Sequence, residues 1–102
     1  MHQIFAIKDE KTGAFEKPII IRSAPDLVRA METVLKRPEP DGPTWSNWPG
    51  DFSVWRLGVW HEDQGTIDVL FEKEWVFAVS SIVPPVPVGP SPTVGLKPGK
   101  EV

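Results

Sequence analysis

Apolar and polar side chains alternate along several stretches of this chain, and along one other they recur at helical spacing. Over residues 2–8, Ile4 and Ala6 fall on one side and Gln3, Phe5 and Ile7 on the other, the period of a strand. Asp9-Glu10-Lys11-Thr12-Gly13 follows as a turn, with Gly13 suited to the left-handed conformation that closes a hairpin. Residues 15–22 form the return strand. Pro18 has no N–H to give to a ladder, so this strand belongs at a sheet edge. The period then changes. Leu27, Val28, Met31, Val34 and Leu35 make one apolar stripe and leave Arg29, Glu32, Thr33 and Lys36 outside, which predicts a helix over 24–37. Ser23 caps it, Pro25 fits its first turn, Asp26 favours its start, and Arg37-Pro38 ends it.

Residues 51–60 read as a strand with a fault. Strict alternation places Arg56 and Gly58 on the side of Phe52, Val54 and Trp60. One extra residue near Trp55-Arg56 instead gathers Phe52, Val54, Leu57 and Val59 on one face, and a neighbouring glycine is common in bulged strands. After the turn at Glu62-Asp63-Gln64-Gly65, residues 66–71 alternate with Ile67, Val69 and Phe71 inward. Residues 75–79 fit a strand extension or a short helical turn equally well. Residues 38–50 are a connector rich in proline and glycine whose Trp45 and Trp48 argue for partial docking. The expected fold is α+β: an antiparallel four-stranded sheet in hairpin–helix–hairpin order, with the helix on one face. Its expected core is Ile4, Leu27, Met31, Leu35, Phe52, Val54, Leu57, Val69 and Phe71, with Phe5 and Ile7 facing a partner subunit. Residues 1–82 make one domain, and 83–102, which hold six of the twelve prolines, make an extended, disordered tail.

Composition narrows the chemistry. The chain has 102 residues and no cysteine, which removes disulfides, thiol catalysis and thiolate metal sites. Nowhere do 18 apolar residues run together, and no basic start precedes an apolar run, so a soluble cytoplasmic protein is expected, with no membrane partner. The net charge of −3 is unevenly spread: residues 1–37 carry seven bases against five acids, and residues 38–82 carry two against eight. A phosphate-binding surface therefore belongs on the first hairpin and the helix, at Lys17, Arg22, Arg29, Lys36 and Arg37. Trp55 and Trp60 are the candidate stacking platforms for unpaired bases, although tryptophans in so small a domain more often serve as core. Pairing of those cations with carboxylates is the competing account. His61-Glu62-Asp63 brings one imidazole to a turn, too little for a metal site, and no nucleophile–base–orienter set is present; no enzyme, metal or cofactor is expected.

The order of these pieces resembles the small non-structural protein of gokushoviruses, tailless single-stranded DNA phages of the Microviridae. The matching motifs are Ile4-Phe5-Ala6-Ile7-Lys8-Asp9 with Gly13-Ala14-Phe15, then Leu27-Val28-Arg29-Ala30. Trp48-Pro49-Gly50-Asp51-Phe52-Ser53-Val54 follows, leading into Leu57-Gly58-Val59-Trp60 and the Gln64-Gly65 turn. The five tryptophans, Gly50 and the proline-rich tail depart from that pattern. The resemblance implies a non-enzymatic accessory protein of the host-cell cytoplasm that binds single-stranded DNA during phage genome replication or packaging. The rival reading is an adaptor that docks phage or host replication proteins through the aromatic loop and tail. A hydrolase using His61 is a remote third. A sheet with one uncovered face and exposed aromatics also invites a homodimer.

Overall fold

The fold, a computed structural model describing residues 1–85, is set by two tight turns that each close on a left-handed glycine, Gly13 at φ +80° and Gly65 at φ +67°. Before the first, Asp9 turns its carboxylate onto the backbone N–H groups of Lys11 and Thr12, at 2.9 and 3.4 Å. The turns connect β1 (His2–Asp9) towards β2 (Ile19–Ile21), and β3 (Phe52–His61) to β4 (Thr66–Ala78). β1 and β3 then pair with each other, giving an antiparallel sheet of order β2-β1-β3-β4. β2 is an edge strand of only three residues, as Pro18 requires, and before it the return segment touches β1 through a single bridge from Phe15 to Lys8.

α1 (Ala24–Leu35) crosses one face of the sheet. Its N-cap is Ser23, whose Oγ accepts from the Asp26 N–H at 3.3 Å, and the helix ends two residues earlier than the stripe suggested. Leu27, Met31 and Leu35 bury themselves against Phe5, Ile7, Phe52 and Val54. The connector contributes α2 (Thr44–Asn47), which drives Trp45 into the same core, and a 3-10 turn, Pro49–Asp51. Both readings of residues 75–79 hold in succession: β4 runs to Ala78, and a 3-10 turn (Val79–Ile82) then sinks Val79 into the interior. The deepest side chains are Phe5, Ile7, Val54 and Val79. Each contributes about 1.5–3 kcal/mol by leaving water.

Three expectations about the core are corrected by the register. Phe5 and Ile7 lie beneath α1 rather than facing a partner, because β1 sets them opposite Arg56 and Val54. Ile4 is buried, but it shares the opposite, open face with Ile20, Leu57, Ile67 and Val69. Val69 and Phe71 are 78% and 100% exposed, since nothing among the described residues covers that face beyond Gly58, the Val69 partner on β3. The irregularity of β3 falls slightly later than expected. β1 skips from Gly58 to Arg56, so Leu57 is the extra residue and turns away from the helix. On β4 the disruption is larger, with four residues between Val69 and Glu74 where β3 has Leu57 alone. Apart from residues 83–85, the tail lies outside the described residues.

Candidate nucleic-acid interface

The site residues expected from sequence do not form one surface. Arg22 and Arg29 both engage Asp26, at 2.9 and 3.8 Å. The Arg22 guanidinium, hydrogen-bonded to Asp26, holds that carboxyl below the ordinary Asp range, with Ser23 and Arg29 adding to it. Two of the five cations are therefore spent on the start of α1. Lys17, Lys36 and Arg37 are exposed and make no ion pair among the described residues. Lys17 borders the groove between β2 and α1, whereas Lys36 and Arg37 lie at the far end of the helix, beside Pro49 and Val83. Trp55 and Trp60 sit on the other side of the sheet, paired in register with Ala6 and His2 and half-buried. Arg56 points to the helix side, where its guanidinium donates to Gln3 Oε1 and Glu74 Oε1, each at 2.9 Å. That contact lowers the Glu74 pKa.

The open face builds a different cluster around Trp55. The bridge between Phe15 and Lys8 brings the Phe15 ring edge-on to Trp55, with centroids 6.3 Å apart and planes at 78°. The Lys8 ammonium lies 5.3 Å from the Trp55 ring centroid and 5.8 Å from that of Phe15, while Lys73 reaches within 5.7 Å of Phe15 from β4. These are cation–π distances. Below them a polar chain fixes the indole: Trp55 Nε1 donates to Ser53 Oγ at 2.9 Å, and the buried Ser53 hydroxyl donates to Glu10. Glu10 in turn lies 3.7 Å from the Lys8 ammonium. Trp75, 57% exposed, stands opposite Trp55 in the ladder but lines a groove with Gln3, Phe5 and Arg22 on the helix side. The cluster thus offers two aromatic rings, Phe15 exposed and Trp55 half-buried, beside two lysines and one carboxylate.

Sequence reasoning missed Lys8, Phe15 and Lys73. Phe15 and Lys73 meet only through a turn and a bulge, so no spacing along the chain announces them. The alternation that places Lys8 and Ser53 on the face of Trp55 was the available signal. His61 is bonded to Asp68 (Nε2 to Oδ2, 2.7 Å), and among the described residues no three His, Cys, Asp or Glu side chains converge as metal ligands. No helix among them is long and apolar enough to cross a membrane. Residues 2–82 match the family model described as phage ORF5 protein. No curated protein and no solved structure matches the chain.

Proposed function

Since the chain belongs to the phage ORF5 protein family, we propose that this phage protein is a non-enzymatic accessory factor that binds single-stranded DNA during genome replication or packaging in the host cytoplasm. The binding surface in this reading is the open face of the sheet rather than the helix. The observation that carries it is the edge-on pair of Trp55 and Phe15, flanked by Lys8 and Lys73. Exposed rings on a rigid sheet accept unpaired bases by stacking, and nearby ammonium groups meet the phosphates that join them. A duplex keeps its bases stacked and gives such a platform nothing to hold. The net charge of −3 also disfavours tight duplex binding.

The test is a titration of a labelled oligonucleotide at two salt concentrations, read by anisotropy and by tryptophan quenching. Trp55→Ala or Phe15→Ala is expected to remove about 1–3 kcal/mol, roughly 5- to 150-fold in Kd. Lys8→Ala is expected to flatten the dependence of log K on log salt by about 0.7, the share of one phosphate contact on a single strand. A paired Lys36→Ala, Arg37→Ala variant should leave both unchanged. If that variant abolishes binding while Trp55→Ala does not, the surface lies on the helix.

A second reading has its own observation. An open apolar groove between α1 and β2, floored by Ile7, Leu27, Met31 and Trp45, suits an adaptor that docks a phage or host replication protein. No oligonucleotide binding at low salt, with stoichiometric capture of a purified replication protein that Ala30→Arg in the groove wall abolishes, favours it.

A further inference from the structure

The two edges of the sheet are built unequally. β2 presents three residues next to Pro18, so little backbone is left to template another strand. β4 is the opposite edge and runs for thirteen residues, and between Val69 and Glu74 it has four residues against one on β3. Over residues 67–71 its open-face side chains are apolar and stand in water: Ile67 is 55% exposed, beside the bare Val69 and Phe71 described above. A long, apolar edge that the described residues leave uncovered is a site of strand addition.

Which strand it accepts follows from the charges. In an antiparallel pair related by a two-fold axis perpendicular to the sheet, one residue lies opposite its own copy, and positions equally far on either side face each other. Like charges set directly opposite are destabilising. Centring the axis on Asp68, Glu72, Lys73 or Glu74 opposes identical charges at the axis. Centring it on Leu70 sets Asp68 against Glu72, and centring it on Phe71 sets Asp68 against Glu74. Of the positions from Asp68 to Glu74, Val69 alone avoids every such clash. It puts Val69 on Val69, Ile67 on Phe71, Asp68 on Leu70 and Thr66 on Glu72, joining the exposed apolar side chains of both copies in one stripe.

We propose that two copies of this chain associate through antiparallel pairing of β4 with β4 about Val69, forming one continuous eight-stranded sheet. The inference is independent of the nucleic-acid reading, because it uses the edge of the sheet rather than its Trp55 cluster.

Size-exclusion chromatography with light scattering tests the association, and single cysteines in a chain that has none test the register. The expected mass is twice the 11.4 kDa of the chain. Val69→Lys, a change at an exposed position, is expected to raise the dimer Kd at least ~10-fold with an unchanged circular dichroism spectrum, the factor that ~1.4 kcal/mol of like-charge opposition gives. Val69→Cys should oxidise to a covalent dimer, since opposed Cα atoms lie about 4.5–5.5 Å apart, within disulfide reach. Phe71→Cys alone should not, because its own copy would be about 13 Å away along the strand. Mixed with Ile67→Cys, it should cross-link. A monomer mass at every concentration overturns the proposal, as does a dimer that survives Val69→Lys and fails to cross-link through Val69→Cys. A stronger cross-link from Phe71→Cys alone than from Val69→Cys overturns it too.

Discussion

At Gly58 the missing side chain decides how close two strands come. A Cβ built there would run into the Asp68 carbonyl oxygen on β4, and that is backbone, with no soft end to give way. Gly58→Ala is therefore expected to cost about 1–3 kcal/mol, seen as a lower urea midpoint with little change in slope. In the sequence this glycine marked a bulge, and a bulge is there. What the sequence left open was its position, and a slip of one residue moves a side chain to the other face. Leu57 was lost from the expected core in that way. Phe5 and Ile4 were exchanged for a related reason: β1 is apolar on both sides, so alternation separates two faces without saying which one the helix will cover.

Among the elements, α1 was the most legible because its signals are local. Its cap, its first-turn carboxylate and its stripe all lie within fifteen residues. Ser23→Ala should cost about 0.5–2 kcal/mol, measurable by thermal melting. Asp26 adds a pH dependence whose sign is fixed by its partners. Its pKa is lowered in the folded chain, chiefly by the Arg22 hydrogen bond, so the contribution is complete above the ordinary value of 3.8 and fades as pH falls below it. Asp26→Asn should flatten the acid limb of a stability–pH curve over that range and leave the neutral limb parallel to wild type. β4 was the least legible element. Ile67, Val69 and Phe71 alternate as half-buried strand residues do, yet they face water, because period reports a common side and not what lies across from it.

The described residues form a dry side under α1 and a second side, bearing rings and lysines, that they leave uncovered. That asymmetry was not legible, because it depends on which residues of distant segments share a face. Lys8, Phe15 and Lys73 come together through pairings separated by most of the chain, whereas Lys36 and Arg37 are neighbours in sequence and lie apart from the indoles. Two phenylalanines test the asymmetry. Phe5→Ala should remove about 3–5 kcal/mol, much of the reserve of so thin a core. Phe71→Ala should stay within about 0.5 kcal/mol for the isolated chain, by chemical denaturation at low protein concentration.

Of the five indoles, Trp45 alone is sealed inside, while Trp48 and Trp75 stand in solvent and Trp55 and Trp60 fall between. The chain therefore carries its own optical probe of the connector. Iodide should extinguish the red-shifted part of the emission and leave a blue-shifted remainder from Trp45, and that remainder should vanish only when the residues between the helix and the third strand peel away from the interior.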